Sequence, residues 1–370
     1  MSIGGSMGHA LTGRYKLAGQ PETAEDLRDG GFEDRVEEAW FSATVDRKAL
    51  KALMRRSDAA SLRHFATWLG LLILFGVAGF LSWGTVWCVP AFAAYGILYA
   101  ASDHSAHELS HGTPFKTRWL NEVLYHLSAF MTLHEGIYWR WSHTRHHTDT
   151  LLVGRDPEIA VPRPPDIAGM LLDLFYLKSG YTQLRYIVTH AMGHLSEDGK
   201  HFVPGPERHK VFWLSRLYVA IFLAVIGLCL VTHSFLPAMF VVLPRFYGGF
   251  LTQLFNITQH AGLAEDMRDH RLNTRTFVMN PVFRFLYMNM NYHIEHHMFP
   301  MVPFYNLPKL HGLIKDQCPA PHRGLWATYR EIVPAVLRQR ADPRYFVRRP
   351  LPGEVTRPNM ATDAGQAAAA

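Results

Sequence analysis

Cysteine is nearly absent from this chain. Cys88, Cys229 and Cys318 stand far apart among 370 residues, which excludes a disulfide framework, a four-cysteine zinc site and an iron–sulfur centre. Charge is scarce as well: Asp, Glu, Lys and Arg make up 18% of the chain, against roughly a quarter in an ordinary soluble domain. Aromatic residues reach 13%, so part of the chain is expected to avoid water. No basic start with an apolar stretch behind it opens the sequence, and no signal peptide is expected. No Gly-rich dinucleotide fingerprint follows a strand, so no built-in nicotinamide or flavin dinucleotide site is expected. The mean hydropathy of −0.03 is too low for a protein that is membrane throughout, and a large polar cap is implied.

What is present is first a set of apolar runs. Residues 65–101 carry no ionisable side chain other than cysteine and tyrosine. As helix this stretch would measure ~56 Å, too long for one ~30 Å crossing and right for two joined near Ser82–Thr85. A second pair covers residues 211–257. The expected architecture is an all-α polytopic membrane protein with four transmembrane helices in two hairpins, at about 65–83, 86–103, 211–232 and 236–257, and a histidine-rich helical cap. The turns within the hairpins lack Lys and Arg, whereas Arg47, Lys48, Lys51, Arg55, Arg56 and Arg63 precede the first span. The positive-inside rule then puts both termini and the cap in the cytoplasm, in a multi-pass arrangement suited to a bacterial-type inner membrane. The segments 119–138 and 170–188 are amphipathic and are read as interfacial. Residues 1–31 read as a flexible arm, 32–350 as the membrane domain and 351–370 as a disordered tail. Arg245 is a charge inside the fourth expected span. It is read as snorkelling outward, pairing with a lipid phosphate, or meeting an anionic substrate.

The second feature is 22 histidines with ordered spacing. Residues 104–111 read HSAHELSH, residues 143–147 HTRHH, residues 256–260 NITQH and residues 291–300 NYHIEHHMFP. Imidazole suits iron, zinc, copper and nickel, and positions i, i+3 and i+4 share one helix face. His107, His111, His143, His146, His147, His293, His296 and His297 are the expected ligands, with His260 beside them and His104 as a further candidate. Glu108, Asp149, Asp156, Glu158 and Glu295 flank these boxes and could orient imidazoles through their second nitrogen. His190 and His194 have the same i, i+4 spacing but follow no span, and are read as non-ligands. Residues 107–111 also match the H-E-x-x-H zincin pattern, which leaves a membrane metallohydrolase open. It does not explain the other two boxes.

The three boxes resemble those of the membrane fatty acid desaturase and hydroxylase superfamily: H-x-x-x-H at His107–His111, H-x-x-H-H at His143–His147, and H-x-x-H-H followed by an apolar residue, Phe and Pro at His293–Pro300. The resemblance implies two iron ions, Fe(II), in a cytoplasmic cap, with zinc as a non-physiological replacement. It implies that Asn256, through a water, and His260 complete the site. It implies O₂ as co-substrate and two electrons from a separate ferredoxin, rubredoxin or cytochrome with an NAD(P)H reductase. Desaturation of an acyl chain in lipid metabolism is the leading activity. A monooxygenase outcome, hydroxylation or oxidative demethylation of a lipid or small polar substrate, is the alternative from the same site. Membrane lipids are expected neighbours and no nucleic-acid partner is expected, although the net charge is +6. The oligomeric state is left open.

Overall fold

The computed structural model describes residues 15–17 and 39–352, so most of the expected arm and tail lies outside the described residues. The part of the arm that is described is docked: Leu17 is buried and the Tyr15 hydroxyl donates to the Glu265 carboxylate at 3.0 Å. There the chain departs from a free arm.

A short α1 (Arg47–Leu53) leads to α2 (Asp58–Leu81). The Ser57 hydroxyl caps α2 by accepting from the Ala60 N–H, and Asp58 in its first turn favours the positive end of the helix dipole. At 24 residues α2 is ~36 Å long. It buries one stripe, Phe65, Trp68, Leu72, Gly76 and Gly79, and turns Leu69, Ile73, Val77 and Leu81 outward. After the turn come α3 (Cys88–Ala100) and α4 (Ser102–Ser110), so the second expected span runs on into the first histidine box with a break at Ala101. The cap helices α5 (Arg118–Met131), α6 (Gly136–Thr148), α7 (Ile167–Asp173), α8 (Leu177–Ala191) and α9 (Glu197–Phe202) follow, and then the long apolar α10 (Arg208–Thr232). Of the described helices, α2 and α10 with the turn before it are long and apolar enough to cross a membrane.

The fourth expected span is not one helix. It is α11 (Leu236–Val241), α12 (Pro244–Gly248) and α13 (Phe250–His260). Pro244 has no N–H to give the Phe240 carbonyl, which breaks the ladder. The Tyr95 hydroxyl takes that carbonyl at 2.9 Å, and the Tyr99 hydroxyl takes the next, that of Val241, at 2.5 Å. Gly248 lies so close to α3 that a Cβ there would stand 1.9 Å from the Gly96 carbonyl carbon. Backbone contact at these two glycines thus holds the broken segment against α3, with Phe92, Tyr95, Phe240 and Tyr247 packed around it.

Beyond α13 the chain forms α14 (His270–Asn273) and a two-residue β1 (Phe277–Val278), paired in parallel with β2 (His322–Arg323). An isolated antiparallel bridge, Thr276 to Tyr292, and the Asn291 side chain bonding the Phe277 carbonyl at 2.7 Å close the loop around α15 (Pro281–Leu286). That closure delivers α16 (His293–Met298), the third box, back to the first two. Helices α17 (Leu307–Ile314) and α18 (Leu325–Ala341) complete the cap. Arg275, fully buried, ties α18 to the end of α13 by donating to the Thr258 and Ala261 carbonyls and to Glu331.

Candidate metal centre

The three boxes come from α4, α6 and α16 and meet at one place. The ring nitrogens of His107, His111, His143, His147 and His296 lie within 4.8 Å of one another, and a second group joins His146, His260 and His297. His293 bridges towards the second group, with its Nε2 3.2 Å from that of His297. His107 and His296 bring Nε2 to within 2.8 Å of Nε2.

Four of these rings are tied from behind through Nδ1. His143 Nδ1 donates to Glu158 at 2.9 Å, His146 Nδ1 to Asp156 at 2.9 Å, and His260 Nδ1 to the Asn273 carbonyl at 2.9 Å. The Thr150 hydroxyl gives its proton to the His146 carbonyl at 2.8 Å, so it accepts from His297 Nδ1 at 3.1 Å. Each of these bonds fixes the tautomer and leaves Nε2 as a lone pair aimed inward. The Nε2 atoms of His111, His143, His147 and His260 are buried with no partner. Orphaned buried acceptors are costly, and several converging on two points fit two metal ions. Burial, helped by neighbouring imidazoles, holds His111, His147 and His296 well below the usual histidine range. They are therefore neutral, as ligation requires. Burial also opposes the charged form of His146, but Asp156 outweighs it and raises that group.

His104 stands apart from both groups. Its Nδ1 bonds the Leu286 carbonyl at 3.0 Å and its Nε2 lies 3.1 Å from Asn256 Oδ1, so neither nitrogen is left for a metal. Asn256 is likewise engaged, its amide donating to Asp103 at 3.3 Å. Arg245 does not snorkel. The break at Pro244 turns it inward, where it is 3% exposed, donates to Asp103 at 2.6 Å and lies 4.1 Å above the Tyr176 ring. The sequence held no sign of this pairing, because the two residues are 142 apart and meet only through the helix break.

Of the flanking carboxylates, Asp156 and Glu158 back ring nitrogens. Asp149 instead pairs with Arg145 and Arg155, and Glu295 with His311 and Thr276. Glu108, pushed up to about 8 by burial, accepts from the Thr113 hydroxyl and the Phe304 N–H. Its other oxygen is 4.0 Å from His296 Nδ1. It stands behind a ring and not in front of one, which is the wrong side for the general base of a zincin. Thr150 and Asn273, which orient two rings, carry no signal in the sequence.

A cavity of 620 Å³ opens beside the histidines, lined at its inner end by His107, His143, His146 and His260. Trp139, which also lines it, stacks on His143 at 5.0 Å.

The sequence-family model of the fatty acid desaturases matches residues 93–329, a stretch that begins in α3 and ends in α18. Among curated proteins, the chain is 26% identical over 336 residues to fatty acid desaturase 3 of Homo sapiens, covering 82% of this chain and 71% of that one. It is 24% identical over 304 residues to fatty acid desaturase 2-like protein FADS2B of Mus musculus, covering 74% and 60%. It is 23% identical over 271 residues to Delta(5) fatty acid desaturase fat-4 of Caenorhabditis elegans, covering 62% and 57%. The chain spans about three fifths of the length of the last two. With the match running across most of the described residues and through all three histidine boxes, the chain belongs to the fatty acid desaturase family.

Proposed function

We propose that this protein is a membrane-bound, O₂-dependent non-haem di-iron oxidoreductase that desaturates the acyl chain of a lipid. The observation that carries the reading is the double convergence of buried imidazoles, four of which, His111, His143, His147 and His260, keep an Nε2 with no protein partner. One ion would be held by His107, His111, His143, His147 and His296, the other by His146, His260, His293 and His297. All-nitrogen sites of this kind suit iron, and zinc would replace it without supporting turnover. Bound there, the irons supply O₂ activation and C–H oxidation: an alkane segment, O₂, two electrons and two protons give an alkene and two waters. The chain's own part is to hold the rings rigidly through Asp156, Glu158, Thr150 and Asn273, and to place the substrate beside them away from bulk water.

In this reading the chain crosses four times, at α2, at α3 running into α4, at α10 and at the broken α11–α13; the length and apolarity of α2 and α10 support it, as do the tyrosines that meet the freed carbonyls of the broken segment. Both termini and the cap would then be cytoplasmic, facing a soluble ferredoxin, rubredoxin or cytochrome-type donor. The test is turnover in reconstituted membranes with O₂ and a reduced donor, followed by mass spectrometry of the lipids. A product lighter by two hydrogens supports desaturation, a product heavier by one oxygen makes the same centre a hydroxylase, and turnover without O₂ or reductant overturns both.

A further inference from the structure

Electrons for the centre have to arrive without opening the cavity in which the substrate lies, because the chemistry there depends on keeping water out. A carrier protein is too large to enter a cavity of 620 Å³, so the electrons must cross the protein. Tunnelling falls off exponentially with the gap to be crossed, and rings in contact leave the shortest gaps. Among the described residues, two rings that are not expected ligands touch a ligand ring: Trp139, against His107 and His143, and His270, against His297. Trp139 lines the cavity, and the way out from it is long. It continues to the fully buried Tyr125 at 6.4 Å and then to His126 at 5.3 Å. His270 offers a shorter way. Its ring centroid is 5.1 Å from that of His297, and Trp40 stacks on it at 4.3 Å with the planes 10° apart. His270 is 4% exposed and Trp40 is partly exposed, so two ring contacts lead from solvent to a ligand of the second histidine group.

A second observation concerns how Trp40 is held. Residues 39–46 have no regular secondary structure, yet the stretch is fastened three times within a few residues. The Phe41 N–H donates to the Arg268 carbonyl at 2.9 Å, and the Arg271 guanidinium lies 3.4 Å above the Phe41 ring. Thr44 exchanges two hydrogen bonds with the Gln317 side chain, at 2.8 and 2.9 Å. These ties clamp the segment against α14 and keep the gap between Trp40 and His270 fixed. The segment precedes α2, on the side of the cap, where the membrane reading puts a soluble carrier.

We propose that electrons enter the centre at Trp40, from a one-electron carrier protein seated against residues 40–44 and α14, and pass through His270 to His297. The rings are a tunnelling bridge and are not themselves oxidised or reduced. The balance is one electron at a time: the carrier's iron goes from Fe(II) to Fe(III) as one iron of the centre goes from Fe(III) to Fe(II), twice per turnover, with no atom transferred. The proposal rests on the two-iron reading of the centre.

The test uses the full chain, loaded with ferric iron in lipid nanodiscs without O₂, and does not depend on knowing the carrier. A ruthenium tris(bipyridine) label is placed on Ser42→Cys, at an exposed position, with Cys88→Ala, Cys229→Ala and Cys318→Ala to make labelling specific. A flash with ascorbate present reduces the label, and its decay reads electron transfer to the centre, with metal-free protein as the baseline. Trp40→Leu should slow that transfer at least tenfold, and Trp40→Phe, which keeps a ring, should retain most of the rate. Metal content and reduction by dithionite, which is small enough to enter the cavity, should be unchanged in both. In the reconstituted turnover assay Trp40→Leu should lower kcat and leave the KM for the lipid as it is. An unchanged transfer rate in Trp40→Leu overturns the proposal, and so does a parallel loss of metal or of dithionite reduction, which would make Trp40 a packing residue. The two readings fail separately: fast transfer through Trp40 without alkene formation would remove the desaturase reading alone, whereas alkene formation with full-rate transfer in Trp40→Leu would remove this route alone.

Discussion

Two buried histidine sites in this molecule start from the same sequence spacing and end as different objects. His143 and His147 are i, i+4 on α6, and His190 and His194 are i, i+4 at the end of α8. His143 is held at Nδ1 by Glu158 and leaves Nε2 without a partner. His190 is held at Nδ1 by Glu135 at 2.7 Å, but its Nε2 accepts the Ser196 N–H at 3.0 Å, and His194 points to solvent. Glu135 also receives the Ser215 hydroxyl, so this second site joins α6, α8 and α10. Both have the carboxylate–imidazole arrangement that orients a metal ligand. What separates a metal site from a structural tie is the second nitrogen, and that depends on a residue in another segment.

The largest effect should come from the open site. His111→Ala should lose metal from the five-histidine group and abolish turnover, and metal analysis of the wild type should find two ions per chain. A fully occupied protein with one ion would break the two-centre reading. Asp156→Asn should be milder. It keeps the shape, loses the charge that favours the Nδ1 proton of His146, and should reduce metal affinity or kcat by roughly 10–100-fold. His190→Ala should reverse the pattern. Metal content and turnover per folded molecule should stay near wild type, while stability falls by about 1.5–3 kcal/mol because buried Glu135 loses the His190 N–H and keeps only the Ser215 hydroxyl, read as a lower Tm. Loss of metal in His190→Ala with an unchanged Tm would erase the contrast.

That contrast also marks what could be read in advance. The convergence of the histidines was legible because their short, repeated spacings put them on one helix face in each box, and the structure brings all nine expected histidines into one place. Helix positions were legible where apolar runs are unbroken, as in α2 and α10. The break inside the fourth expected span was not legible because a hydropathy run does not show where Pro244 releases a carbonyl, or that Tyr95 and Tyr99 on another helix take up the freed groups. The surroundings of Arg245 and His104 were not legible because their partners, Asp103 for the one and Asn256 and the Leu286 carbonyl for the other, lie on other segments and meet them only in the folded chain.

A third carboxylate–histidine pair sharpens the comparison at its weak end. His322 Nε2 is 2.9 Å from Glu331, with 29% of the histidine side chain exposed. Here the carboxylate answers to other groups. Burial raises its pKa, but Arg275 first and Arg349 next outweigh this and bring Glu331 down from 4.5 to about 2. A carboxylate depressed in the folded state stabilises the fold fully above its unfolded value, and that contribution is lost as pH falls from about 4.5 towards 2. Partial exposure screens it, so the effect should be smaller than that of His190→Ala. Glu331→Gln should lower Tm at neutral pH and flatten the fall of Tm between pH 4.5 and 2, whereas His322→Ala, which keeps both arginines on Glu331, should leave most of that slope in place. If His322→Ala flattens the slope as much as Glu331→Gln, the histidine and not the buried guanidinium of Arg275 holds the carboxylate charged, and this pair belongs with His190 and Glu135.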